Sequence, residues 1–122
     1  MSWDVRPTRD LDEFKRAVGA IGHYFGGWPA DDEAAQRFAA NLPLERMHAA
    51  FDGDRVVGGA GAFPFELTVP GGTVRCGGVT VVGVLPTHRR RGILTAMMRA
   101  QLEDIRDRGE PVAALWAPAA VI

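Results

Sequence analysis

Two periods alternate along the chain. Leu11, Phe14, Val18, Ile21 and Phe25 recur at helical spacing and define one buried face, behind Asp10 with Glu13 three residues on in capping-box order. Gly26-Gly27-Trp28-Pro29 interrupts that pattern, and Asp31, Asp32 and Glu33 open a second helix that ends near Asn41, before Pro43. A short strand, Trp3 to Arg6, precedes both and stops at Pro7. Runs of strand character then follow. Arg46 to Phe51, Val56 to Val69 and Val74 to Val84 are separated by the turn signals Asp52-Gly53-Asp54 and Pro70-Gly71-Gly72, so three antiparallel strands are expected. Gly58, Gly59 and Gly61 weaken the second of these, and Pro64 marks a bulge or an edge.

The helical period returns from Gly92 to Arg108, with Leu94, Met98, Leu102 and Ile105 as its expected buried face. Arg99 with Glu103, and Asp104 with Arg108, are i,i+4 pairs for the wet face. Gly109 stands where a helix-ending glycine belongs, and Pro111 follows. Val112 to Trp116 is a last apolar strand. The helix crossing to it makes it parallel to the strand that ends at Val84. The order is β-α-α-β-β-β-α-β, a mixed α/β sheet protein.

The joint between strand and last helix carries the chemistry. Val79 to Val84 is β-branched and buried in character, Pro86 and Thr87 stop it, and Arg89-Arg90-Arg91-Gly92 leads straight into the helix. Backbone N–H groups of a first helical turn lack intrahelical partners, and the helix dipole adds positive potential there. Such a turn, with three arginines and a glycine that lets the backbone approach a ligand, is an anion site.

Composition sets few further limits. The chain has 122 residues, 47% of them apolar, and a net charge of −1. One domain is expected, and no global field draws it to nucleic acid or a membrane. A nucleic-acid role for His88 to Arg91 would need a second basic stripe or stacking aromatics beside it. The single cysteine, Cys76, rules out an internal disulfide, fits a reducing compartment and reads as a small buried side chain. His23, His48 and His88 show no metal-ligand spacing, and no metal is expected. No apolar run reaches the length of a membrane span.

Arg89-x-x-Gly92, preceded by Val-x-Val-x-Pro, resembles the acetyl-CoA pyrophosphate loop of the GNAT N-acetyltransferases, although Leu94 stands where that pattern has Gly or Ala. The fuller string Pro86 to Leu94 resembles the Eis (enhanced intracellular survival) branch, as do Phe65 to Gly71 and Gly109 to Leu115. The resemblance implies a GNAT-like fold and acetyl-CoA as cofactor. Its pyrophosphate would rest on Arg89, Arg90, Arg91, Gly92, Ile93, Leu94 and Thr95, and its pantetheine arm along Val82, Gly83 and Val84. The chain departs from the branch after the last strand, where Pro118 and Ala119 stand in place of the more usual Ser and Glu.

The resemblance places the acceptor cleft near the break between the first two helices, which makes Tyr24, Trp28, Asp31 and Asp32 candidates for a cationic amine. Each has a plain alternative as a helix cap or core aromatic. Glu66 is a candidate base that also reads as a surface strand residue. The implied activity is acetyl transfer to an amine, an aminoglycoside amino group or a lysine side chain, in the cytoplasm. The competing reading is a non-catalytic coenzyme A-binding domain. The family's general-acid tyrosine falls beyond Ile122 and its base is the carboxyl terminus of the whole protein. The chain, stopping in the apolar stretch Ala117 to Ile122, is therefore expected to be the N-terminal portion of a GNAT domain in a longer, oligomeric, multidomain protein, and inactive alone.

Overall fold

A computed structural model of the chain describes residues 3–22 and 31–116. Ten elements follow in order. They are β1 (Asp4–Pro7), α1 (Leu11–Gly22), α2 (Asp32–Ala39), a 3-10 turn (Leu44–Arg46), β2 (Met47–Asp52), β3 (Arg55–Val69), β4 (Gly72–Val84), a second 3-10 turn (Pro86–His88), α3 (Ile93–Asp107) and β5 (Val112–Leu115). The sheet order is β1-β2-β3-β4-β5. The first four strands are antiparallel, and β5 is parallel to β4, as the crossover through α3 requires. The expected order β-α-α-β-β-β-α-β is therefore the observed one.

α1 and α3 lie on opposite faces of the sheet, and glycines set how closely they lie. A Cβ on Gly59 would sit 2.2 Å from the Ala17 carbonyl oxygen, and one on its cross-strand partner Gly83 would sit 2.8 Å from Ile21. Gly58 and Gly77 face the other way, toward Met97 with Ile93 and toward Ile105. The glycines that weaken β3 as an isolated strand thus let helix backbone rest directly on it. Phe14, Val18, Leu42, Met47 and Phe51 fill the α1 side, and Ala50, Val57, Ala60, Ile93 and Met97 the α3 side.

The first turn of α1 departs slightly from the expected capping box. Asp10 accepts the Glu13 N–H at 2.8 Å, but Glu13 reaches back to the N–H of Arg9 at 2.9 Å and also holds Arg6 through two bonds of 2.9 and 2.6 Å. Those contacts, the Arg6 bond first, hold the Glu13 carboxyl down at about 2.

Two expectations need correction. The buried face of α3 is Ile93, Met97, Gln101 and Ile105, while Leu94 and Leu102 are each 50% exposed. The two stripes share Ile105, and their other three members differ by one position. Gln101, fully buried, makes the true stripe the less apolar of the two, so counting apolar residues selects its neighbour. Arg46 belongs to the 3-10 turn before β2 rather than to the strand. It is buried, donates to the Ala62 carbonyl at 3.0 Å and pairs with buried Glu110 at 2.8 Å. A contact spanning 64 residues leaves no periodic trace in sequence.

Candidate functional site

β4 loses its regular pairing midway. Gly61 pairs with Thr80 and Gly59 with Gly83, so Val81 and Val82 together oppose Ala60 in a bulge. Val81 adopts φ 46°, a left-handed conformation rare for a β-branched residue. β5 pairs with β4 only from Cys76 to Val79. On that side Val82 to Val84 have no strand partner among the described residues.

The chain then turns within eight residues. Leu85 N–H donates to the Val57 carbonyl at 2.8 Å, and Pro86 starts the short 3-10 turn. Arg90 and Gly92 take positive φ, 58° and 84°. Gly92 is the residue before α3, and no side chain caps the helix there. Space beside its Cα is open, so glycine is required here by φ rather than by crowding. The first intrahelical bond runs from the Ala96 N–H to the Gly92 carbonyl at 3.1 Å, so the amides of Ile93, Leu94 and Thr95 remain outside the helix ladder.

Between the bulged strand and this turn is a cleft of about 480 Å³. Val82, Gly83, Val84, Arg89, Arg90, Gly92, Ile93, Leu94 and Thr95 line it, together with His88. Leu94 is thereby explained: at the cleft wall, its exposure is not a packing fault. Val82, Val84, Ile93 and Leu94 make part of its lining apolar. Arg89, Arg90 and the uncapped helix N-terminus add positive potential, which favours an anion.

Arg91 is absent from the lining. Its guanidinium lies over the Trp3 ring, 5.1 Å from the centroid, and its carbonyl accepts the Trp3 indole N–H at 2.8 Å. His88 takes its place in the wall, buried, with Asp52 Oδ2 at 2.9 Å from Nε2 and Thr87 Oγ1 at 2.8 Å from Nδ1. Sequence reasoning set His88 aside because it has no metal-ligand spacing. Its partner Asp52 is 36 residues away and reads only as a hairpin turn.

The acceptor candidates among the described residues, Asp31, Asp32 and Glu66, do not line this cleft. Asp31 caps α2, accepting the Ala34 N–H at 2.8 Å, and neighbouring Asp32 pairs with Lys15 at 2.6 Å. Glu66 is exposed and opposite Arg75, seven positions along β3 from Gly59, or about 23 Å at the rise of a strand. Tyr24 and Trp28 lie outside the described residues. Among the described residues no helix is long and apolar enough to cross a membrane.

A mixed sheet whose bulged strand runs into a basic turn and an uncapped helix defines an acyl-CoA N-acyltransferase fold. The chain belongs to the GNAT acetyltransferase family, whose "Acetyltransferase (GNAT) domain" matches residues 4–122. Within the family it is Eis-like. It is 45% identical to Eis1 of Mycobacterium abscessus, whose crystal structure superposes with a TM-score of 0.84 over 98% of this chain and 30% of that one. It is 50% identical over 66 residues to the N-acetyltransferase Eis of Mycobacterium tuberculosis, which covers 53% of this chain and 16% of Eis. An uncharacterized N-acetyltransferase of Streptomyces avermitilis is 46% identical over 118 residues, 96% of this chain. The chain spans 29% of that relative's length.

Proposed function

We propose that the cleft binds acetyl-CoA, and that the chain is the cofactor-binding portion of the first GNAT domain of a longer, oligomeric Eis-like enzyme of the cytoplasm. The observation that carries this is the uncapped start of α3 beside Arg89 and Arg90. The amides of Ile93 to Thr95 and the two guanidiniums offer donors to a pyrophosphate. Val82, Gly83 and Val84 provide an apolar strand edge of a length and chemistry that suit a pantetheine arm. The acceptor is an amine, of an aminoglycoside or a lysine. When bound, acetyl-CoA would supply an acetyl thioester for transfer to that amine, with coenzyme A leaving as the thiol, and Val82 to Val84 with Arg89 to Thr95 would hold it in line. The contribution of these residues is alignment of the cofactor, which removes entropy from the bimolecular step.

A thermal melt tests the cofactor assignment. Coenzyme A at a hundredfold excess over Kd should stabilise the chain by about 2.7 kcal/mol. Gly92→Asp, which puts a carboxylate where phosphate would rest, should abolish that gain. An unchanged midpoint for the unmutated chain at saturating coenzyme A would sink the assignment.

A further inference from the structure

The cleft turn is held from outside the cleft. Two of its residues, Arg90 and Gly92, have left-handed backbone, and Arg90 is not glycine. An L-residue keeps that conformation only where its surroundings over-determine it. The surroundings here are contributed by two remote segments. From the start of the chain, Trp3 donates its indole N–H to the Arg91 carbonyl at 2.8 Å, presents its ring to the Arg91 guanidinium, and meets the His88 ring edge-on with centroids 6.1 Å apart. From the end of β2, Asp52 holds His88 Nε2 at 2.9 Å. Thr87 engages the other ring nitrogen, so both nitrogens of His88 are fixed. Neither Trp3 nor Asp52 lines the cleft.

We propose that Trp3 and Asp52 are positioning residues that hold the turn from Pro86 to Gly92 in its anion-receiving shape before any ligand arrives, with Arg91 as the tether rather than a phosphate ligand. This rests on the coenzyme A reading of the cleft. A preformed site avoids the cost of ordering a loop on binding. The three consecutive arginines therefore divide their work. Arg89 and Arg90 line the cleft, and Arg91 turns back to Trp3.

Titration calorimetry with coenzyme A on the chain and three variants tests this. Trp3→Phe keeps an aromatic ring against the α3 side of the core and removes only the N–H. It should weaken binding about three- to tenfold, the worth of one net hydrogen bond. Asp52→Ala should weaken it about tenfold, and Asp52→Asn should recover most of the loss, because an amide oxygen can still accept an N–H from His88 Nε2. A role of the carboxylate charge alone would give no such recovery. In the ligand-free chain the Trp3 indole N–H, identified by its loss in Trp3→Phe, should exchange slowly with solvent. Equal affinity in all variants overturns the proposal, as does an indole proton protected only after coenzyme A is added. If the variants bind as the unmutated chain does, the clamp alone is wrong. If the unmutated chain does not bind, the cofactor reading fails and the clamp with it.

Discussion

The C-terminus of α3 is closed at every backbone group that the turn can reach. Gly109 takes φ 78°, its N–H donates to the Arg106 carbonyl at 2.9 Å, and the Glu110 N–H donates to the Ile105 carbonyl at 3.2 Å. These two bonds are the pair that defines a Schellman ending. Glu110 is then locked against Arg46 under the sheet. The N-terminus of the same helix also begins at a left-handed glycine, yet among the described residues no side chain caps it. α1 and α2 show that capping was available, since Asp10 and Asp31 each accept an amide of their own first turn. One end of α3 is finished by the protein, and the other is left for a ligand. That contrast separates glycine and charge used for stability from the same residue types used for binding.

The closed end should give the largest stability loss. Glu110→Ala leaves the Arg46 guanidinium buried beside the Ala62 carbonyl without its counter-charge. Breaking a buried pair in this way costs about 3–5 kcal/mol. Urea denaturation measures it, and a loss below about 1 kcal/mol would mean that water reaches Arg46 in solution. At the open end the effect should appear in affinity. Arg89→Ala and Arg90→Ala should each weaken coenzyme A binding by up to about 1.5–3 kcal/mol, less where solvent screens the contact. Arg106→Ala, near the closed end and about 20 Å away along the helix, should change it little. Equal losses at all three positions would reduce the cleft to a net-charge effect.

The two glycines give a matched pair. Gly109→Ala and Gly92→Ala both force alanine to positive φ, and the steric cost is about 1–2 kcal/mol in each. A Cβ at Gly92 meets nothing, and at Gly109 only the flexible tip of Arg75 at 3.4 Å. Both should lower the melting temperature alike, while only Gly92→Ala should weaken coenzyme A. If Gly109→Ala weakens it equally, the distinction between the ends is lost.

Most of the fold was legible because its signals are local. Asp10, the turn glycines, Gly109 and the β-branched run before Pro86 each act within a few residues of themselves. The cleft was legible for the same reason, since strand, turn and helix start are contiguous. What was not legible depends on distant partners. Nothing in the spacing joins Arg46 to Glu110, Trp3 to Arg91 or Asp52 to His88. The bulge at Val81 was not legible either, because a β-branched residue at positive φ gives no sign of itself in sequence. The helix face was read correctly at Ile105 and one position off at its other three residues, because its centre is polar.

Acid should separate two regions of the core by pH rather than by site. His48, buried on β2, is held below its ordinary value of 6.5, chiefly by burial and further by Arg108 and Arg46, with Asp104 opposing. The unfolded chain binds that proton first, so the stability from neutral His48 is complete above about 6.5 and declines as pH falls. Glu13, held at about 2 by Arg6 and the Arg9 amide, has its folded pKa depressed from 4.5. Its stabilisation is complete above 4.5 and is lost as pH falls toward 2. Urea midpoints between pH 7.5 and 3 should show two steps. His48→Phe should remove the upper one, and a single step near pH 4 in both proteins would contradict the assignment.

The smallest effect should be a gain. Gln101 lies at the centre of the buried face of α3, fully inaccessible, and among the described residues neither its amide oxygen nor its nitrogen has a hydrogen-bond partner. Burying an unpaired amide costs roughly 1–3 kcal/mol, most of which an apolar side chain of similar volume would not incur. Methionine is unbranched like glutamine, adapts to irregular gaps and has good helix propensity. Gln101→Met should therefore raise stability by up to about 1 kcal/mol and leave the cleft unchanged, because Ile93 and Met97, not Gln101, contact the strands beneath the turn. It should also complete the apolar stripe that the helix lacks, from Ile93 through Met97 to Ile105. Chemical denaturation with matched coenzyme A titrations would read both quantities. A loss of 1 kcal/mol or more would show that the amide is bonded in solution, and that the centre of α3 is polar for a structural reason.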